Sequence, residues 1–177
     1  MNHLDQLMEM VTRPQDPTES DRAWGDVYRL LHIALPQDFM NLVSLYGPGC
    51  FDDFLWLLQP SSANKNLDIV LQAGNRRDAL RTMWETGENR PSWLSIAPED
   101  LLPWAITDNG DVCYWVTSTD PDPGRWMIVV NEARGPRWVC YSGSVTEFLI
   151  DVLGKTVRID LFPDDFPLNH HVFRSQN

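Results

Sequence analysis

Two pairs of adjacent carboxylates, Asp52-Asp53 and Asp164-Asp165, first suggest chemistry, because general acid–base catalysis uses carboxyl groups held together in one cleft. Neighbours on a strand point to opposite faces, so only one of each pair can line a given cleft. The four histidines, His3, His32, His170 and His171, show neither H-x-x-x-H nor H-E-x-x-H spacing, and no metal site is expected. Ser61-Ser62 follows Pro60 without a G-x-S-x-G elbow, and Gly47-Pro48-Gly49 lacks the Lys and Ser/Thr of a phosphate-binding loop. Cys50, Cys113 and Cys140 show no C-x-x-C spacing, which points away from a disulfide framework or zinc knuckle. Cys113 and Cys140 fall in expected strands, where a buried, inert thiol is the expectation. These residues offer no constellation for an enzyme and no cofactor site.

Binding is the chemistry that remains. Trp56, Trp115, Trp126 and Trp138 belong to expected strands, whereas Trp24, Trp84 and Trp104 fall on apolar stripes or strand starts and are expected in the core. An open sheet face carrying some of the strand tryptophans beside aspartates would be an aromatic and acidic surface, with anchors for affinity and carboxylates for steering. The expected partner-binding residues are Asp52, Asp53, Trp56, Asp108, Asp111, Asp120 and Asp122. The alternative is that these aspartates only solvate hairpin turns.

Charge sharpens the choice of partner. Fourteen Lys and Arg stand against 25 Asp and Glu, a formal net charge of −11. Such a field repels nucleic acid and anionic membranes and speeds encounter with a basic partner, although solubility alone also accounts for it. A chain of 177 residues, 43% hydrophobic, is long enough for one domain with a full core. The N-terminus MNHLDQLMEMVTRP lacks the basic start and apolar run of a signal peptide, and no segment reaches membrane-spanning length. A soluble protein of the reducing cytoplasm is expected.

The elements that must position these residues follow from periodicity. Leu4, Leu7, Met8 and Val11 predict a first helix ended by Pro14. Thr18 and Asp21 form a capping pair ahead of Trp24, Val27, Tyr28 and Leu31, the stripe of a second. Pro36 suits the first turn of a third, with Phe39, Leu42, Val43 and Tyr46 inward and Gly47 as its stop. A single buried strand is expected from Cys50 to Leu58, then a helix from Ala63 to Gly87 whose drifting apolar stripe suggests a break near Gly74-Asn75. Asn109-Gly110 predicts a tight hairpin, GRWMIVV and PRWVCY two further strands, and Ser144 with Glu147 a capping box opening a last helix. TVRIDLF is open between edge strand and loop, and PDDFPLNHHVFRSQN is expected at the surface. The order predicts an α+β fold, a mostly antiparallel sheet with helices gathered on one face.

The run from Trp24 through Leu35-Pro36, Tyr46-Gly47-x-Gly49, Phe51-x-x-Phe54-Leu55-Trp56 and Pro60 resembles the N-terminal signature of the SUKH superfamily, whose Smi/Knr-like branch includes many bacterial immunity proteins. PWAITDNGDVCYW, the RWMIVV strand and TEFLIDVLGK are similar to that family's C-terminal half, so the likeness spans about Ala23 to Lys155. The resemblance implies a single mostly antiparallel sheet flanked by helices, commonly without catalysis. It implies a cognate protein toxin as partner, often a nuclease, neutralised by binding. The alternative it carries is a regulatory or scaffolding adaptor that binds a signalling or cell-envelope protein. The helix within residues 1–14 and the tail 156–177 fall outside the shared region. A third reading is a small-ligand binder with a pocket between helices and sheet.

Overall fold

The computed structural model describes residues 2–15, 24–88, 90–93 and 95–176. Among them are five α-helices: α1 (His3–Met10), α2 (Trp24–Leu31), α3 (Gln37–Tyr46), α4 (Ile69–Glu85) and α5 (Val145–Leu153). The strands are β1 (Gly49–Phe51), β2 (Leu55–Leu57), β3 (Leu101–Thr107), β4 (Val112–Val116), β5 (Met127–Asn131), β6 (Trp138–Tyr141) and β7 (Phe173–Ser175). They form one seven-stranded sheet, order β6-β5-β4-β3-β2-β1-β7, in which every neighbouring pair is antiparallel. The chain therefore has the expected α+β fold, a single sheet flanked by helices. The proposed Thr18–Asp21 capping pair lies outside the described residues.

Local chemistry accounts for the elements that periodicity predicted. The Ser144 hydroxyl accepts the Glu147 N–H at 3.3 Å while the Glu147 carboxylate accepts the Ser144 N–H at 2.8 Å, the reciprocal capping that opens α5. Gly110, at φ 91°, donates to the Thr107 carbonyl at 2.9 Å and turns β3 into β4. Helix α3 buries Phe39, Leu42, Val43 and Tyr46 and stops at Gly47, φ 79°.

Both faces of the sheet are covered, in contrast to the one-sided arrangement expected. Cys113 and Trp115 of β4 point into a main core with Phe39 and Phe148, where the Phe39 and Trp115 rings meet edge to face at 4.9 Å. Val112, Tyr114 and Val116 of the same strand point the other way, into a second cluster with Leu80 of α4. Helix α4 serves both: Ile69 and Ala73 belong to the main core, Leu80 to the second. This accounts for the drifting stripe, and the helix runs unbroken through Gly74. Tyr28, expected on the buried stripe of α2, is 61% exposed, and Val27 alone is fully buried there.

Two further expectations need correction. The segment from Cys50 to Leu58 is a hairpin of two short strands: Asp52 and Asp53 both take positive φ, 50° and 57°, and the Phe54 N–H donates to the Phe51 carbonyl at 3.0 Å. Such a turn ordinarily carries Asn-Gly or Asp-Gly, so Asp-Asp concealed it. The tail is not a surface strip either. Ile159, Phe162 and Phe166 enter the main core, and Phe54 packs on the Phe162 and Phe166 rings at 5.3 and 4.5 Å. The edge strand comes from Phe173–Ser175 on β1, and TVRIDLF forms none.

Candidate partner-binding surface

Antiparallel register sorts the seven expected binding residues. The β1–β2 turn and the β3–β4 turn lie side by side at one end of the sheet, joined by the Asp108 N–H donating to the Phe54 carbonyl at 2.9 Å. Asp52, Asp53, Asp108 and Asp111 therefore share that end. Asp120 and Asp122 lie in the β4–β5 connection, at the opposite end.

Burial separates them again. Asp52 is 4% exposed and accepts the Leu168 N–H at 3.0 Å and the Val172 N–H at 2.8 Å, with the His171 Nδ1 at 2.8 Å. Asp111, also buried, accepts the Thr107 hydroxyl at 3.1 Å and the Ala133 N–H at 3.0 Å, tying the β3–β4 turn to the β5–β6 connection. Both carboxylates are consumed by the fold, since a buried charge is tolerated only when its lone pairs are satisfied. At the far end, Asp120 accepts the Asp122 N–H and Asp122 accepts the Gly124 N–H, at 2.8 and 2.9 Å. These are the local Asx contacts of a turn.

Asp53, Asp108 and Trp56 remain at the surface, Asp53 in an exposed ion pair. Both aspartates are exposed and Trp56 is half-buried. On β2, Trp56 lies opposite Cys50 of β1 and Ile106 of β3, and Cys50 lies opposite Arg174 of β7, so the four residues form one row across the sheet. Further along this face Val112 is covered by the cluster around Leu80, but Trp56 and Ile106 stay half-open. Asp53 makes an ion pair with Arg174 at the edge of the row. The Cys50 thiol registers the same field: burial pushes its pKa up to about 11, Asp53 adds to the rise, Arg174 opposes it and Asp108 adds further. The result is a partly apolar stripe rimmed by the Asp53–Arg174 ion pair and the Asp108 carboxylate. Ile106 and Arg174 were not anticipated, because each gains its place only through a strand pairing.

Among the described residues there is no wider aromatic face: Trp115, Trp126 and Trp138 are buried, as is Trp104, while Trp24 and Trp84 are partly so. Trp93 is 52% exposed and lines a separate shallow cleft with Arg90 and Arg137. Cys140, expected buried, is exposed on β6. Among the described residues no three or more His, Cys, Asp or Glu side chains are grouped to hold a metal, and no helix is long and apolar enough to cross a membrane. Comparison of the chain with family models, curated proteins and solved structures found no match in any of the three.

Proposed function

We propose that this chain is a non-catalytic immunity protein of the cytoplasm, which neutralises a cognate protein toxin by binding it. The observation that carries the reading is the convergence of Asp53, Asp108 and Trp56 at one end of the sheet, where a half-buried ring lies near exposed Asp108 and the solvent-facing Asp53–Arg174 pair. A toxin that acts on nucleic acid must present cations to phosphates, and an inhibitor with net charge −11 can meet those cations with its own carboxylates. Opposite charge also speeds encounter, which serves a protein that must catch the toxin before it acts. The SUKH resemblance of the sequence supports the same reading.

Affinity capture from native cells at low and high salt tests it. Recovery of one protein with a basic module, in a yield that falls with salt, supports immunity; retention of signalling or envelope proteins regardless of salt supports the adaptor instead. That second reading has an observation of its own. Leu30 and Leu71, 57% and 42% exposed, line a groove between α2 and α4 together with Asp26, Lys65 and Asp68. A contact made there through the two leucines would depend less on salt than one made through carboxylates alone.

A further inference from the structure

The tail folds back beneath the end of α5 and lines a partly open cavity of about 200 Å³. Its walls include Val152, Ile159, Phe162 and Phe166, all part of the main core, and the two phenylalanine rings meet edge to face at 5.5 Å. Apolar cavities of ~150 Å³ accept a molecule the size of benzene, so this one has room for a single ring or a short alkyl chain. Below the usual range for drug-sized ligands, it suits a fragment-sized molecule.

The mouth is polar and lacks the acidic excess of the chain. Lys155, Arg158 and Asp164 line it and Asp160 stands beside Arg158, two cations to two carboxylates, against 14 to 25 in the whole sequence. Arg158 is neutralised by Asp164 at 2.5 Å, with Asp160 at 3.8 Å. The Lys155 ammonium donates to the neutral Asn169 amide oxygen at 3.0 Å, and none of the described carboxylates pairs with it. Its backbone is held by the Lys155 N–H donating to the Val152 carbonyl at 3.1 Å, which keeps the residue at the opening.

We infer that this cavity binds a small monocarboxylic acid, its ring or alkyl body against the Ile159, Phe162 and Phe166 wall and its carboxylate on Lys155. A fully polar anion such as phosphate gains nothing from the apolar walls, because burying it against phenylalanine leaves most of its acceptors without donors. A neutral molecule of the same shape forgoes the charge-assisted hydrogen bond from the ammonium. The site is separate from the Asp53–Trp56–Asp108 surface and does not depend on the function proposed for it.

Calorimetric titration of the full chain with benzoate and hexanoate, beside benzyl alcohol and hexanol, tests the assignment. The expected result is saturable binding of at least one acid, weaker by about tenfold or more for its alcohol. Lys155→Met should weaken the acid by a similar factor and Lys155→Arg should preserve it. Lys155 is exposed, so both variants should fold; the acid-against-alcohol comparison on the unaltered chain decides independently if they do not. Absence of saturable heat with either acid, equal affinity for acid and alcohol, or unchanged binding by Lys155→Met would overturn the inference.

Discussion

The carboxylate of Asp52 meets the His171 ring at 2.8 Å across 119 residues of sequence, and the same carboxylate receives the Leu168 and Val172 N–H groups. One buried side chain on a left-handed turn thereby fastens the tail to the β1–β2 hairpin. Asp52→Ala removes all these contacts and leaves buried donors without an acceptor, which should cost about 2–4 kcal/mol. Urea unfolding measures the loss, and limited proteolysis should cut between residues 164 and 172 earlier than in the parent chain.

Gly49 holds the other attachment of the tail. A Cβ there would collide with the Arg174 carbonyl oxygen and stand 2.8 Å from the Phe173 ring. Gly49→Ala should therefore push β7 off β1 at a cost of about 1–3 kcal/mol. Faster hydrogen exchange across Phe173–Ser175, with the β3–β4 hairpin unaffected, is the expected signature.

Alkaline pH should destabilise the fold through buried acids held neutral. Burial raises the Cys50 thiol from 9.0 to about 11 and the Tyr46 phenol from 10.0 to about 12, Arg13 opposing the latter. In the unfolded chain both ionise earlier, so above pH ~9 the unfolded state binds fewer protons and stability falls with pH. The contribution is fully present below the unfolded values and is lost as pH rises through the folded ones. Tyr46→Phe should flatten the upper part of the profile. It should also cost about 1 kcal/mol at neutral pH, because the hydroxyl donates to the Val11 carbonyl at 2.7 Å.

The three thiols should react in two classes. Cys140 is exposed on β6, while Cys50 and Cys113 are buried and both thiols are pushed up by that burial. An aromatic disulfide reagent should titrate one thiol in the native protein and three in denaturant. Rapid native labelling of more than one would contradict the placement of β1 and β4.

Much of the fold was legible because its signals are local. Asn109-Gly110, the Ser144–Glu147 capping pair and the α3 stripe each specify a turn, a helix start or a buried face within a few residues. The hairpin at Asp52-Asp53 was hidden by two side chains that adopt left-handed φ without a glycine to announce it. The unbroken α4 was obscured because its apolar residues serve two clusters. The role of Phe173–Ser175 rests on pairing with Gly49–Phe51, more than a hundred residues away, which no window reveals. Of the candidate site, charge and residue type singled out Asp53, Trp56 and Asp108. Only burial distinguished them from Asp52 and Asp111, which the fold consumes.

The central claim is that Asp53 and Asp108 contact the partner, whereas Asp52 and Asp111 build the fold. The most direct measurement is affinity capture from native cells at low salt with the parent chain and Asp53→Lys/Asp108→Lys side by side, after thermal unfolding shows both folded. Both positions are exposed and the Asp53–Arg174 pair is solvent-facing, so each reversal should change stability by under about 1 kcal/mol. The account predicts that one basic protein is retained by the parent and lost by the folded double variant. Equal retention of the same partner by both would contradict it.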